Sequence, residues 1–494
     1  MESSGGFTQT IHQKNAKTIC IIGAGAAGLI SLKTILDTHQ YKSGEWKPTV
    51  YESRDRIGGT WVPSPPSDNP PLTALYDSLT TNLPHPIMAL PDHPFPPSTA
   101  VFPCASVVQK YLENYADQFS LASHIQVSTN VNNIEWDGHR WKVTLSTGQG
   151  PHFDLVIVCN GHYRIPRYPS IPGIKEWLNA RRASHAAWYR RPYDLGRTIL
   201  IVGGGPSGQD ISADMRETTT TVIHSVTGAI PEDIGNLKRR GRVTEFRNGG
   251  EVLFEDGTIE SGVDFCILAT GYEFSFPFMS DSLIHSGYPS TIPPLPRNLF
   301  NSTHHLFPLA KHIFPLQTMF PPTSIAFMGL LTMGSAFPVM DAQAQAIVQA
   351  FANPHILDPT QEMINIFSRY EKLYSQSTDP VSIAKNWHKV KPREQFNYRD
   401  DLYRFSAASG IIKFREVPEW QKEAYDNRDI LRKAWVEVVR RGEADTWVKG
   451  VGEGGPHEWI DLLNRLQQWA QESLHIPQPS LERHVLQREV NMTT

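Results

Sequence analysis

The feature that most constrains the fold of this chain is a short apolar run followed by glycines spaced as GxGxxG. In TICIIGAGAAG, at positions 18–28, residues 19–22 have the length and composition of a buried parallel strand. Residues 26–36 are predicted to form the helix that follows. This arrangement leaves free N–H groups and a partial positive charge at the helix N-terminus, where a phosphate binds well. The segment therefore predicts a dinucleotide-binding site.

The residue types in this loop fit that prediction. Gly23 permits the tight turn, Gly25 lets the backbone approach a pyrophosphate, and Gly28 lets the helix pack closely on the strand. A second apolar strand, at 49–51, ends on Glu52, which is placed to accept a hydrogen bond from a ribose hydroxyl. The residues predicted to hold this first nucleotide are Gly23, Gly25, Ala26, Ala27, Gly28 and Glu52.

The same pattern occurs a second time. Residues 198–202 form another apolar run, and the glycines of GGGPSG follow it with the same spacing. The rest of this unit is predicted to contain strands at 221–223 and 265–269 and a strand-and-turn region at 246–259. Two dinucleotide sites in one chain indicate electron transfer between two cofactors.

The two copies differ at the end of their second strand. The second copy ends on His224 and Ser225, so it has no acid to repel a 2′-phosphate. Arg190 and Arg191 lie nearby in sequence, and arginine pairs well with phosphate. We therefore expect NADPH rather than NADH in the second site.

Composition argues against several other classes of protein. The chain has 494 residues, enough for two or three domains, and its formal net charge of −4 does not favour nucleic acid as a partner. Its four cysteines include no CxxC pair, and Cys20, Cys159 and Cys266 fall in predicted buried strands, unlike Cys104. A metal site, a disulfide framework and a redox dithiol are therefore poorly supported, and a reducing, cytoplasmic location is expected.

No segment is predicted to direct export or to cross a membrane. The first sixteen residues are polar and mixed, unlike a signal peptide. The best apolar stretch, 325–340, is interrupted by Gly329 and Pro338 and is too short for a span, so we expect a buried strand and turn. The polar, charged residues 478–494 give no indication of a tail anchor.

Between the two glycine motifs lies a proline-rich segment, 62–103, in which no long helix can persist. It carries too many large apolar residues for a disordered linker, so we expect an ordered loop packed on the first cofactor domain. An amphipathic helix at 106–119 is predicted next. A hairpin of 125–136 and 140–145, turning through Asp137 and Gly138, and a buried strand at 155–159 follow.

Together these motifs resemble those of class B flavin-dependent monooxygenases, specifically the flavin-containing monooxygenase family. The resembling segments are GAGAAG at 23–28, Glu52, GGTW at 58–61, LTTNLPHPIM with Asn82, NGHY at 160–163, IPG at 171–173, His185 with Tyr189, GGGPSGQD at 203–210, ATGY at 269–272 and PxxxxQ at 338–343. They occur in family order and, apart from the last, lie within positions 18–272.

The chain also departs from the family pattern. In the fingerprint FxGxxxHxxxY it has Ile171 for the aromatic residue and a longer gap between Gly173 and His185. Baeyer–Villiger relatives end this fingerprint with Trp-Pro, whereas here Tyr189 holds the position, which favours oxygenation of a heteroatom. Residues after about 357 match no family motif, and their tryptophans are expected to pack helices: Trp387, Trp420, Trp447 and Trp469.

The resemblance implies an α/β fold of two Rossmann-like domains, with the NADPH domain, residues 189–269, inserted into the FAD domain, residues 1–188 and 270–494, which ends in a helical extension. It implies further FAD-site residues at Gly59, Thr60, Trp61, Thr81 and Asn82. For NADPH it implies Gly203, Gly205, Pro206, Ser207, Gly208, Gln209, His224 and Ser225. Four more cofactor contacts are expected at His185, Thr270, Gly271 and Gln343.

The resemblance also implies a reaction. NADPH would reduce FAD, and the reduced flavin would add dioxygen to form a flavin hydroperoxide, which must be kept dry and hydrogen-bonded. Asn82 is expected to help hold the hydroperoxide and the retained NADP⁺. A soft nitrogen or sulfur of a small substrate then attacks the distal oxygen. His185 is expected to organise the NADPH site and the hinge between domains.

Three alternatives stay open from the sequence. A disulfide reductase would share both nucleotide sites but needs a cysteine pair beside the flavin. A Baeyer–Villiger enzyme, which oxygenates ketones, shares nearly all the motifs. A non-catalytic flavin-binding protein would not need both glycine loops. Substrate identity and oligomeric state do not follow from the sequence.

Overall fold

A computed structural model describes residues 16–290, 292–408 and 415–474. Residues 478–494, where no tail anchor is expected, lie outside the described residues. So do the first fifteen of the sixteen residues considered as a signal peptide.

The elements follow one another in three stretches of the chain. The first stretch contains β1 (Lys17–Ile22), α1 (Ala26–Asp37), α2 (His39–Lys42), β2 (Trp46–Tyr51), α3 (Ala105–Gln118), β3 (Ile125–Gln126), β4 (Val131–Trp136), β5 (Trp141–Leu145), β6 (Gly148–Phe153), β7 (Leu155–Val158), β8 (Ile165–Pro166) and α4 (Ile174–Asn179). The second contains β9 (Ala183–His185), β10 (Thr198–Val202), α5 (Pro206–Met215), β11 (Thr221–Ser225), β12 (Glu232–Ile234), β13 (Leu237–Arg240), β14 (Val243–Phe246), β15 (Val252–Phe254), β16 (Ile259–Glu260) and β17 (Phe265–Leu268).

The third stretch begins with short strands and ends in helices. Its elements are β18 (Tyr272–Glu273), β19 (Ile284–Ser286), β20 (Leu299–Asn301), β21 (Leu306–Phe307), β22 (Leu309–Ala310), β23 (Phe314–Pro315), β24 (Ile325–Phe327), α6 (Ala336–Ala352), α7 (Pro359–Tyr374), α8 (Pro380–Trp387), α9 (Glu394–Ala407), α10 (Glu419–Asp426), α11 (Arg428–Arg440), α12 (Ala444–Val448) and α13 (Pro456–Leu474).

The first sheet is parallel, with strand order β24-β7-β1-β2-β3. All four residues of β7, LVIV, are buried, as expected for a parallel strand that is covered on both faces. Because β24 comes from beyond residue 320 and the other strands from before residue 160, two distant parts of the chain build this sheet. The helices α1, α3 and α6 pack on it in the largest hydrophobic core.

The second sheet is built by the intervening part of the chain, in the order β12-β13-β11-β10-β17-β9. All its pairs are parallel except β12 with β13. The strand β9 belongs to this sheet, so the second sheet starts at Ala183, six positions before the expected boundary at 189. Each sheet therefore carries one of the two glycine motifs, which confirms the expected α/β class with two Rossmann-like units.

Most predicted elements are confirmed to within a few residues, but two expectations are wrong. Residues 125–136 form two strands rather than one, because Ser128 takes a positive φ of 52° and the chain leaves the first sheet there. Residues 325–340 are more than a strand and turn, because α6 begins at Ala336. Pro338 lies in the first turn of that helix, where a missing N–H costs no intrahelical bond.

The proline-rich segment 62–103 is ordered, as expected, but it packs on both domains. Leu83, Ile87 and Phe95 are buried in the core of the first domain. Tyr76 is buried in a separate core with Ile211 and other residues of the second domain. The segment therefore joins the two domains, which the sequence did not indicate.

The C-terminal helices form a layer over the first domain. Trp387 is fully buried in its core, and Trp420, Trp447 and Trp469 pack against that core while partly exposed, which confirms their expected packing role. Among the described residues, no helix has both the length and the apolar character to cross a bilayer.

Candidate active site

The first glycine loop lies between β1 and α1, at the carboxyl end of the first sheet. Gly25 caps α1 without a side-chain hydrogen bond, so no capping side chain occupies the N–H groups of the first turn. A Cβ at Gly28 would overlap the carbonyl oxygen of Gly23, so only glycine lets the helix lie this close to the loop. This geometry fits the phosphate-binding role expected of Gly23, Gly25, Ala26, Ala27 and Gly28.

Glu52 follows β2 and is buried beneath this loop. Its Oε2 accepts a hydrogen bond from the Ala24 N–H at 2.7 Å, and its Oε1 accepts one from the Arg54 N–H at 2.9 Å. Oε1 also accepts from the Ser53 hydroxyl at 3.3 Å, so Oε2 is the oxygen that keeps a further lone pair for a hydroxyl. Beside it lies a cavity of about 560 Å³, whose lining includes Ser53, Arg54 and Arg164. The carboxylate thus both shapes the glycine loop and remains suited to a ribose.

The GGTW turn closes over the first loop. Gly58 N–H donates to the Ala24 carbonyl at 2.9 Å, and a Cβ at Gly59 would lie 2.8 Å from the Gly25 Cα. The Arg54 guanidinium, which the sequence analysis did not single out, donates to the Gly59 carbonyl at 3.3 Å. The turn therefore presents Thr60, which is exposed, and Trp61, which is half-buried, beside the nucleotide loop.

The second glycine loop repeats this construction between β10 and α5. Gly205 caps α5, again without a side-chain bond, and Pro206 begins the helix. A Cβ at Gly208 would overlap the Gly203 carbonyl oxygen, whereas one at Gly205 would meet no atom within 4 Å. Gly205 and Pro206 are exposed, Ser207 is partly exposed, and Gln209 donates from Nε2 to the Gly204 carbonyl at 3.1 Å. The loop backbone at Gly205 is thus open to contact with a ligand.

His224 and Ser225 lie under this loop rather than beside it. His224 is buried, and its Nε2 bonds the Gly203 carbonyl at 2.9 Å, which supports the turn from below. Ser225 is also buried, and its hydroxyl donates to the Gly241 carbonyl. Both side chains are thus used in bonds within the protein, and their contact with NADPH stays a prediction.

Positive charge near the second loop comes from residues that the sequence analysis missed. Arg190 donates to the carbonyls of Ser64, Thr73, Ala187 and Tyr189, so its guanidinium serves to join segments and not, as expected, to face a phosphate. Instead, Arg239 on β13 pairs in register with His224; its side chain is 50% exposed and forms an exposed ion pair with Glu232 at 3.5 Å. The signal was the run LKRRGR at 237–242, with four basic residues in six.

A continuous set of contacts joins the two glycine loops through the segment 60–83. Thr73 Oγ1 donates to the Thr60 carbonyl at 2.7 Å, which links this segment to the GGTW turn. Tyr76 OH donates to Asp210 Oδ2 at 2.7 Å, and Asp210 lies in the first turns of α5. The segment 60–83 therefore bonds both to the GGTW turn over the first loop and to α5, the helix that follows the second loop.

Asn82 lies in the same segment, at the place where residues 76–82, α5 and α11 meet, which we call the junction. It is exposed and follows Thr81, which is buried and donates from its hydroxyl to the Leu83 carbonyl. Arg432 of α11 donates from Nη1 to Asn82 Oδ1 at 2.9 Å and from Nη2 to Asp210 Oδ1 at 3.0 Å. Arg432 was missed because it lies far along the chain in a region without motifs.

His185, Thr270 and Gly271 form the crossing between the domains. Ala187 N–H donates to His185 Nδ1 at 3.0 Å, so Nε2 carries the proton and donates to the Gly271 carbonyl at 3.0 Å. Thr270 Oγ1 donates to the Arg167 carbonyl at 2.6 Å. Burial lowers the pKa of His185 to about 4. The imidazole is therefore neutral near pH 7 and ties β9 to the ATGY turn.

Gln343 lies on α6, and its hydrogen bonds are made to Gly329 and Tyr398, which belong to neither glycine loop. It is fully buried, its Oε1 accepts from the Gly329 N–H at 3.0 Å, and its Nε2 donates to Tyr398 OH at 2.9 Å. Both ends of the amide are thus used within the protein. Its cofactor contact stays a prediction, while its visible role is to hold the turn after β24.

The cysteines are not paired with one another in the structure. All four cysteines are free, and Cys20, Cys159 and Cys266 are buried, where desolvation raises the pKa of each thiol. Across residues 16–290, 292–408 and 415–474, no group of three His, Cys, Asp or Glu side chains is arranged to hold a metal ion.

Two Rossmann-like units, each with a glycine-capped helix after its first strand, are typical of oxidoreductases that bind dinucleotides. Comparison with known proteins makes this more specific. The model of the FMO-like family, described as flavin-binding monooxygenase-like, matches residues 16–230 and 229–403. The chain belongs to this family, and it is a flavin-dependent monooxygenase.

Relatives of similar length support the assignment. The flavin-containing monooxygenase FMO GS-OX3 of Arabidopsis thaliana is 26% identical over 477 residues, covering 87% of this chain and 96% of that protein. Dimethylaniline monooxygenase [N-oxide-forming] 2 of Macaca mulatta is 27% identical over 442 residues, covering 72% and 77%. The structure of S-allyl-L-cysteine S-oxygenase from Allium sativum has a TM-score of 0.70 at 26% identity, covering 93% and 98%.

Proposed function

We propose that the first glycine loop binds FAD, that the second binds NADPH, and that the chain transfers one oxygen atom from dioxygen to a small organic substrate at a soft sulfur or nitrogen. The observation that carries this proposal is that Asn82, in the segment that bonds the GGTW turn through Thr73, and Asp210, on the helix after the second loop, share one arginine. A nicotinamide bound at the second loop and a flavin bound at the first would both reach toward this junction.

The residues fit the two cofactors. Gly205 leaves open space for a pyrophosphate at the N-terminus of α5, and Gly25 stands at the matching position of α1, in contact with the GGTW turn. Oε2 of Glu52 keeps a lone pair for the ribose of the flavin's adenosine. At the second loop no acid ends β11, and we propose that Arg239 exchanges its exposed partner Glu232 for the 2′-phosphate of NADPH. When bound, the two cofactors would supply hydride transfer and dioxygen activation.

The protein itself positions the two cofactors. Asn82 is the polar side chain at the junction, so we propose that its amide hydrogen-bonds the bound cofactors. His185, neutral and bonded at both nitrogens, holds the crossing between domains rather than moving a proton. The domain made from both ends of the chain would hold FAD, and the unit that contains β9 to β17 would hold NADPH.

Sulfur is the first substrate atom we propose. The Allium sativum structure that this chain resembles is named an S-allyl-L-cysteine S-oxygenase, and the Macaca mulatta relative is named as N-oxide-forming. A soft thioether or amine attacks an activated oxygen directly, so the protein needs no nucleophile of its own. The net reaction consumes substrate, O₂, NADPH and a proton, and yields oxygenated substrate, NADP⁺ and water.

The test uses the purified flavoprotein with air and NADPH, and three substrates in parallel: an alkyl cysteine thioether, a tertiary amine and a cyclic ketone. We expect about one sulfoxide per NADPH, with the amine oxidised second and NADH much less effective. Lactone from the ketone with no sulfoxide or N-oxide would refute the heteroatom proposal. Hydrogen peroxide as the only product from every substrate would refute it as well.

A further inference from the structure

Arg432 links the two halves of the proposed site from outside the part of the chain that the family model matches. That match ends at residue 403, whereas Arg432 lies on α11. Its Nη1 donates to Asn82 Oδ1 at 2.9 Å and to the Thr81 carbonyl at 3.4 Å, and its Nη2 donates to Asp210 Oδ1 at 3.0 Å. One side chain of the helical extension thus contacts both nucleotide-binding regions.

The arginine is held in place by packing. On the same helix, Leu431, Ala434 and Trp435 are buried in the largest core, where α11 lies against α13. The side chain of Arg432 is 29% exposed and that of Asp210 is 20% exposed. Asp210 is itself fixed by Tyr76 OH on its other oxygen. The bridge therefore joins two elements that are each rigid.

The chemistry of the guanidinium decides how Asn82 is oriented. Arginine only donates hydrogen bonds, so the Asn82 carbonyl oxygen must face it, and a flipped amide would set donor against donor. The Nδ2 amine of Asn82 is then the end left to donate to a bound ligand. The same guanidinium holds Asp210 and, through it, α5 of the second domain.

We propose that Arg432 is a positioning residue. It turns the Nδ2 N–H groups of the Asn82 amide toward the bound cofactors, and it sets the distance between Asn82 and the second glycine loop. This inference rests on the proposed function. It assigns to the C-terminal helices a part in the site, since without α11 neither the orientation of Asn82 nor its link to α5 is determined.

The test compares Arg432→Ala and Arg432→Lys with wild type, using the full-length flavoprotein. Two quantities are measured: the affinity of the oxidised enzyme for NADP⁺, from the flavin absorbance on titration, and the share of NADPH that ends as hydrogen peroxide. For Arg432→Ala we expect NADP⁺ affinity to fall roughly tenfold, the size of one charge-assisted hydrogen bond, and peroxide release to rise several-fold. Lysine reaches only one of the two partners and is expected to restore part of each quantity.

The matched control is Lys433→Ala, which removes an exposed cation from the next position of the same helix. It is expected to leave both quantities unchanged. Asp210→Asn, which keeps a partner for Tyr76 but removes the charge, is expected to change both in the same direction as Arg432→Ala and serves if that variant does not fold.

Wild-type values in Arg432→Ala, or equal losses in Lys433→Ala, would overturn the proposal. A wild-type protein that does not oxidise NADPH would instead contradict the proposed function, so the two failures are distinguishable.

Discussion

At the scale of single residues, both hydrogen bonds of His185 are made to the backbone of the protein. Both ring nitrogens are used, one as acceptor from Ala187 and one as donor to Gly271, and the ring packs edge-on against Tyr168 and Tyr272. Such a histidine fixes the tautomer and the path of the chain. The expectation that it organises the second site and the hinge is compatible with these contacts and stays a prediction.

His185→Ala is expected to slow reduction of the flavin by NADPH roughly tenfold while FAD stays bound. The reason is that the ATGY turn loses its bond to β9, and about 1.4 kcal/mol, close to one hydrogen bond, corresponds to tenfold in rate. Stopped-flow measurement of the flavin band under anaerobic conditions gives the rate. His355→Ala, which removes an exposed histidine, is the control. Reduction kinetics equal to wild type would count against the role.

At the scale of elements, the second glycine loop needs glycine for two different reasons: close packing of its own backbone and space for a ligand. Gly208 is required by the protein, because its Cβ would strike the Gly203 carbonyl, whereas Gly205 has open space and an ordinary φ of −71°. The open space at Gly205 is where the sequence motif predicts a pyrophosphate. Glycines within one motif are thus kept for different physical reasons.

Alanine substitutions in this loop should separate the effect on stability from the effect on NADPH binding. Gly205→Ala is expected to keep the wild-type melting temperature but to raise the KM for NADPH at least tenfold, since the methyl group occupies the ligand's place. Gly208→Ala is expected to lower stability by about 2–3 kcal/mol, as overpacking does. Thermal melts and steady-state kinetics on both variants distinguish the effects. A stable Gly208→Ala protein, or an unchanged KM in Gly205→Ala, would contradict this division.

At the scale of the whole molecule, several histidines are buried as neutral groups. Burial lowers the pKa of His162, His185 and His305 to about 4, and that of His85 to about 3. In the unfolded chain these residues take up a proton near pH 6.5. Between about pH 6.5 and 4 the unfolded state therefore binds more protons than the folded state, so this contribution to stability is complete above pH 6.5 and is lost as the pH falls.

We expect the free energy of unfolding of the holoenzyme to fall from about pH 6.5 to about pH 4, with each such histidine contributing at most about 1.4 kcal/mol per pH unit. His85 offers a direct check, because neither ring nitrogen has a hydrogen-bond partner among the described residues and the ring packs on Phe95 and Trp459. His85→Phe is expected to reduce the acid sensitivity, measured by urea unfolding at several pH values. An unchanged pH dependence would show that His85 is not a neutral buried group.

The sequence predicted both Rossmann-like units and the loops that cap their helices. The reason is local: residues 19–28 and 198–208 each encode strand, turn and helix within about ten positions, and steric demands at Gly28 and Gly208 act over the same short range. The placement of Glu52 after β2 belongs to the same short unit. Local patterns failed at Ser128, where the chain leaves one sheet for another, and at 336–340, where Pro338 lies in the first turn of α6 and does not interrupt a helix.

What only the tertiary structure decided is how distant segments meet. His224 and Arg190 were interpreted from their neighbourhood in sequence, but their side chains are used beneath the loop and between the domains. Arg432 reaches Asn82 across 350 positions, and no spacing rule connects them. The sequence by itself determined the two nucleotide loops, because backbone sterics and strand–helix periodicity are local. The junction between them was decided by packing of the C-terminal helices, because burial of their apolar faces acts without regard to separation along the chain.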